Sequence, residues 1–85
     1  MQELTKDEAY RKFADTTEAG KRIGEAITRL RKRKKLSTAE LAKRIQKPEK
    51  VISRMERGEY KQYTMQLLLD IARALHAKLL IDFVE

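Results

Sequence analysis

The chain has no cysteine, one histidine, one proline and three glycines in 85 residues. Without cysteine there are no disulfides and no thiolate metal sites. His76 alone cannot build a histidine-rich metal site. No glycine loop is present to cradle a phosphate, and no set of side chains reads as nucleophile plus base, so neither an enzymatic activity nor a cofactor is expected. No apolar run approaches the roughly 20 residues that cross a bilayer. No basic stretch followed by an apolar one opens the chain, so a secretory signal is not expected and a cytoplasmic location is the default. The length suits one domain, with a core thin enough that such chains often lean on a partner copy.

What the chain has in excess is positive charge, and it is concentrated. The formal net charge is +7, and residues 21–63 hold fifteen of the twenty Lys and Arg residues but only five of the thirteen acidic ones. The ends are slightly acidic. Five consecutive cations, Arg31 through Lys35, lie in the basic stretch. A positive centre between acidic ends is what a phosphate-binding surface requires, although a solvated face without a ligand has the same composition.

Hydrophobic spacing predicts five short helices. The first covers about 4–13, with Tyr10 and Phe13 on one face, Thr5 and Glu8 as a capping box, and Asp15, Thr16 and Thr17 ending it. The second covers 18–34, with Ile23, Ile27 and Leu30 as an inward stripe. Gly20 and Gly24, one turn apart, suit close backbone packing. Arg31 falls on the same stripe, and a buried cation needs a partner. Ser37 and Glu40 form a capping box for a third helix over 38–44, with Leu41, Ala42 and Ile45 inward. Gln46 and Lys47 make a turn. Pro48 suits the first position of a fourth helix over 48–57, where its missing N–H costs nothing. That helix turns Ile52, Met55 and Glu56 inward, and Gly58 stops it. Glu56 is the expected partner of Arg31. Thr64 caps a fifth helix over 65–75, with Leu68, Ile71, Ala72 and Leu75 as its core face and Leu67 and Leu69 off it.

The tail alternates Leu79, Ile81 and Phe83 onto one face, as a strand does. A lone strand leaves its backbone groups unpaired. The cheapest partner is the same strand of a second copy, which predicts a twofold dimer through Leu79, Leu80, Ile81, Phe83 and Val84. A frayed tail or a last helical turn is the alternative. The chain thus divides into a terminal segment 1–17, a domain 18–77 and a dimerisation strand 78–85.

The third and fourth helices have the spacing of a helix-turn-helix. Ala42 is the small residue where the two cross, and Ile52 and Met55 anchor the second about ten and thirteen residues later. Glu49, Lys50, Ser53 and Arg54 then point outward. The stretch RLRKRKKLSTAELAKRIQKPEKVISRMERG, with Leu30, Arg31, Leu36, Ser37, Glu40, Leu41, Ala42, Ile52, Ser53, Arg54, Glu56 and Gly58 agreeing, resembles the XRE-type family of lambda-repressor-like, Cro-like regulators. The flanking EAYRKFADTTEAGKRIGEAI and ALHAKLLIDFVE resemble HigA/HipB-type antitoxins, some of which end in a strand that pairs across a dimer.

The resemblance implies an all-α, lambda-repressor-like five-helix domain with a short C-terminal strand. Arg31 and Glu56 match the family's internal ion pair. Ser37 and Thr38 match residues that hold phosphates, and Glu49, Lys50, Ser53 and Arg54 match the base-facing side of the recognition helix. Arg33, Lys35, Lys43, Lys47, Arg57 and Lys61, with Arg29 and Lys32, supply further candidates for phosphate contact. Thr38 and Glu49 stand where the family often has glutamine, and Gln46 and His76 where it usually has glycine. A phosphate or base contact from Thr38 is therefore shorter, and Glu49 either repels phosphate or selects the cytosine amino group. Gln46 must adopt a left-handed conformation or reshape the turn. Tyr60 and Tyr63 are read equally as DNA-backbone contacts or as packing.

The function implied is a dimeric repressor on a palindromic operator in double-stranded DNA, cytoplasmic and nucleoid-associated in a bacterium. The antitoxin resemblance adds autoregulation and a cognate toxin, an mRNase of the RelE-like type or a HipA-like kinase. Leu67, Leu69, Leu80 and the Tyr10/Phe13 segment are candidate toxin contacts. A stand-alone or prophage repressor is the first alternative. A toxin-neutralising module with little DNA binding is the second.

Overall fold

The computed structural model describes residues 18–83 and 85. The expected helix over 4–13 and Val84 lie outside them. Four helices are present among the described residues: α1 (Glu18–Arg33), α2 (Thr38–Ile45), α3 (Glu49–Glu56) and α4 (Met65–Ala74). The described part is all-helical. α3 packs against α1 and α2, and α2 packs also against α4.

One apolar side chain after another at helical spacing meets in a single core. Ile27 comes from α1, Leu36 from the linker, Leu41, Ala42 and Ile45 from α2, Ile52 and Met55 from α3, and Leu67, Ile71 and Leu75 from α4 and its end. Leu41, Ile52, Met55 and Leu75 are fully buried. α2, α3 and α4, of eight to ten residues, cannot stand alone, because helices under about 12 residues are marginal in water. Their shared burial stabilises them.

α1 reaches α3 through its glycines. A Cβ placed on Gly24 would overlap the Met55 carbonyl oxygen and lie 3.0 Å from the Glu56 carbonyl oxygen. One placed on Gly20 would stand 3.3 Å from the Gly58 carbonyl oxygen. The glycine pair therefore serves close backbone packing, and Gly24 is the tighter member.

The helix starts are capped as their side chains dictate. The Glu40 N–H donates to Ser37 Oγ and the Ser37 N–H donates to Glu40 Oε1, each at 3.0 Å. That second bond holds the Glu40 carboxyl below its ordinary pKa. Thr64 Oγ1 accepts from the Leu67 N–H at 3.0 Å.

The helix ends share one device. Lys35, Gln46, Gly58 and His76 all have positive φ, between 51° and 76°. After each, the next amide reaches back to close the last turn: Leu36 to the Arg31 carbonyl, Lys47 to Ala42, Glu59 to Arg54 and Ala77 to Ala72. This is the Schellman arrangement at all four ends. Three of the four left-handed positions carry a side chain, at a cost of about 1 kcal/mol each relative to glycine.

Several expectations need correction. α1 ends at Arg33, α2 runs on to Ile45, and α3 spans Glu49–Glu56 with Pro48 as its N-cap (φ −62°, ψ 147°) rather than its first residue. Leu67 is buried, 7% exposed, and Leu68 is only half-buried. Three consecutive leucines give the helical period no phase, so the stripe 67, 71, 75 fits the pattern as well as 68, 72, 75. Buried Leu67 is therefore unavailable as a toxin contact. Leu68 and Ala72 line an open groove with Ile23, Ile27 and Leu30 of α1. Residues 77–83 form neither helix nor strand. A strand is defined by its ladder, and the structure holds a single chain.

Two stability outcomes follow from these contacts. Gly24→Ala should lower unfolding free energy by about 3 kcal/mol, since backbone carbonyls must shift, whereas Gly20→Ala should cost under about 1 kcal/mol. Urea denaturation of both variants measures this. His76→Gly and Gln46→Gly should each raise stability by about 1 kcal/mol, read as a higher midpoint at unchanged slope.

Candidate nucleic-acid interface

The interface is built from two adjacent helix starts and the turn between them. Ser37 and Thr38 open α2, Gln46 and Lys47 turn the chain, and Glu49 and Lys50 open α3. Gln46 adopts the left-handed conformation (φ 57°, ψ 46°) rather than reshaping the turn. Ile52 and Met55 point into the core with no measurable exposure. The opposite side of α3 is left to Glu49, Lys50 and Arg54, all exposed, and to half-buried Ser53. An α-helix about 10–12 Å across fits a major groove about 12 Å wide.

The position of α3 is held by an internal ion pair. Arg31 Nε donates to Glu56 Oε2 at 2.6 Å and Arg31 Nη2 to Glu56 Oε1 at 3.0 Å. Arg31 Nη1 donates to the Leu36 carbonyl at 2.8 Å. The two side chains are 14% and 13% exposed. Hydrogen bonding to Glu56 raises the Arg31 pKa further, so the cation is permanent. The five-cation run is thus divided by α1: Arg31 turns inward, while Lys32, Arg33, Lys34 and Lys35 remain exposed. Lys32 and Arg33 also sit in the last turn of α1, where cations oppose the helix dipole.

The remaining expected phosphate contacts are placed as follows. Ser37, Arg33, Lys35, Lys43, Lys47, Arg57 and Lys61 are exposed, and Thr38 is half-buried. Arg57 is shared with Glu59, its Nε lying 3.3 Å from Glu59 Oε2. Ser37 Oγ accepts the capping bond and retains its own hydrogen for donation. The structure brings Thr38 and Glu49 together: Thr38 Oγ1 donates to Glu49 Oε1 at 2.6 Å. Sequence reasoning singled out both residues but not their contact. No local sequence pattern signals that contact, because it depends on the angle between the two helices.

Tyr60 and Tyr63 resolve to packing. Their rings meet edge to face with centroids 5.0 Å apart, and both lie against the core. Burial pushes the Tyr63 phenol well above its usual pKa, and its hydroxyl has no partner among the described residues. A further contact, unforeseen, ties α2 to the end of α4: Arg44 Nη1 donates to the Ala74 carbonyl at 2.9 Å.

The model of a family described as a helix-turn-helix domain matches residues 22–79. The chain belongs to the helix-turn-helix family. That membership covers α2, the turn and α3 as the motif itself, most of α1 and all of α4 as its support, and it makes the chain a candidate DNA-binding regulator. No curated protein and no solved structure matches the chain. Among the described residues no helix is long and apolar enough to cross a membrane.

The helix-turn-helix depends on the Arg31–Glu56 pair, which is testable. Arg31→Met should cost about 3 kcal/mol by stranding the Glu56 carboxylate, while Arg31→Met with Glu56→Leu should recover most of that loss. Thermal melts of the two single variants and the double variant measure the coupling.

Proposed function

We propose that this chain is a dimeric, sequence-specific transcriptional repressor that binds its own operator as the antitoxin of a toxin–antitoxin operon. One observation carries the DNA-binding part. A helix anchored by Ile52 and Met55 presents Glu49, Lys50, Ser53 and Arg54 on its free side, within a stretch that holds most of the chain's positive charge. Lys50 and Arg54 suit guanine edges or phosphates, and Ser53 suits either. Ser37 at the start of α2 suits a phosphate. The exposed cations supply the sequence-independent attraction.

Dimerisation is supported by the tail. Leu80 and Phe83 are 90% and 88% exposed, and Ile81 is also exposed. Apolar side chains grouped in this way favour burial against another surface. The sequence alternation of Leu79, Ile81 and Phe83 favours a strand, and the strand of a second copy satisfies it. A twofold dimer would then meet half-sites about 34–36 Å apart, or a multiple of that spacing, on a palindromic operator. Removing residues 78–85 should convert a dimer to a monomer, as measured by light scattering, and weaken operator binding.

The antitoxin role rests on the resemblance of both chain ends to HigA/HipB-type antitoxins. Leu69 on α4 and Leu80 in the tail are exposed apolar side chains, available for a toxin of the RelE-like or HipA-like kind. A neighbouring reading frame whose product is toxic, and is neutralised by this chain, supports the antitoxin. A lone gene supports the stand-alone repressor instead.

Fluorescence anisotropy against duplex from upstream of the gene and a scrambled duplex tests the DNA reading. The native duplex should bind selectively, with affinity falling on the order of a thousandfold between 50 and 200 mM salt for about six phosphate contacts. Arg54→Ala should cost selectivity on the order of tenfold or more if Arg54 reads a base. Equal binding to both duplexes would contradict operator recognition.

A further inference from the structure

We propose that Glu49, positioned by Thr38, reads a cytosine in each operator half-site. The inference rests on the DNA-binding reading above and adds a base to it. Thr38 lies in the first turn of α2 and Glu49 in the first turn of α3, eleven residues on. The 2.6 Å bond from Thr38 Oγ1 engages Glu49 Oε1 and leaves Oε2 as an acceptor. Glu49 is exposed on the free side of α3, beside Lys50 and Ser53. The bond limits the rotation of a side chain that would otherwise sample several rotamers, so less entropy is lost when the carboxylate meets a base.

The chemistry of the four bases then selects one. An ionised carboxylate accepts hydrogen bonds and donates none. In the major groove guanine shows two acceptors, and thymine an acceptor and a methyl group, so both leave the carboxylate unsatisfied. Adenine offers its amino group but places the N7 acceptor beside it, where a second acceptor is repelled. Cytosine offers its amino group with no neighbouring acceptor. It alone satisfies Glu49. Thr38 is a positioning residue in this account, since its hydroxyl hydrogen is directed to Glu49 rather than to DNA.

Selection from a random duplex library by the full chain, with Glu49→Gln and Thr38→Val in parallel, tests the proposal. The natural chain should enrich half-sites with an invariant cytosine. Glu49→Gln should replace that cytosine by adenine, because an amide accepts from N6 and donates to N7. Thr38→Val should keep the cytosine but discriminate several-fold less against the other bases. Both variants should keep the rest of the consensus even where affinity falls, which a general structural loss would not produce. An identical consensus for the natural chain and Glu49→Gln would overturn cytosine reading. Unchanged discrimination in Thr38→Val would overturn the positioning role. Failure to enrich any duplex would overturn the DNA-binding reading itself and this proposal with it.

Discussion

One guanidinium ties the end of α1 to both helices of the helix-turn-helix. Arg31 grips both oxygens of Glu56 at the end of α3 and the Leu36 carbonyl just before α2. Through these three bonds the end of α1 sets where α2 begins and where α3 ends. The pair is nearly excluded from water, so its net contribution to stability is modest. Its value is geometric: α3 has eight residues and a fully buried side on only two of them, and sliding or rolling would misdirect its free side. Gly24 adds the second constraint, since its missing side chain lets α1 lie directly on the α3 carbonyls.

Much of this was legible in the sequence, and for identifiable reasons. Ser37 with Glu40, Thr64 and Gly58 are local signals, each satisfied by atoms within a few residues, so chain order alone determines them. Arg31 and Glu56 were legible because a charge on an apolar stripe demands a partner and only two such charges existed. Leu67 was not legible, because three adjacent leucines fit two phases of one helix and tertiary packing chooses between them. The Thr38–Glu49 bond was hidden for a different reason. It depends on the angle between α2 and α3, and no periodicity encodes that angle. The left-handed residue at Lys35 was equally hidden, since its side chain does not advertise the conformation.

The arrangement links structure to recognition through helix starts. The Thr38–Glu49 contact brings the beginnings of α2 and α3 together. Glu49 is an anion within the basic stretch 21–63. In the proposed complex, long-range attraction to phosphate falls to the exposed cations and selection of a base to Glu49. The tail contributes in another way. Its Leu80, Ile81 and Phe83 are exposed in one copy, and the proposed dimer would cover them.

The central claim is that the free side of α3 meets DNA. The most direct measurement is an amide NMR titration of the full chain with duplex from upstream of its gene. The account predicts that the largest shifts fall on Ser37, Thr38 and Glu49 through Arg54, with α4 nearly silent. Shifts concentrated on α4 and the tail, with the start of α3 unmoved, would contradict it.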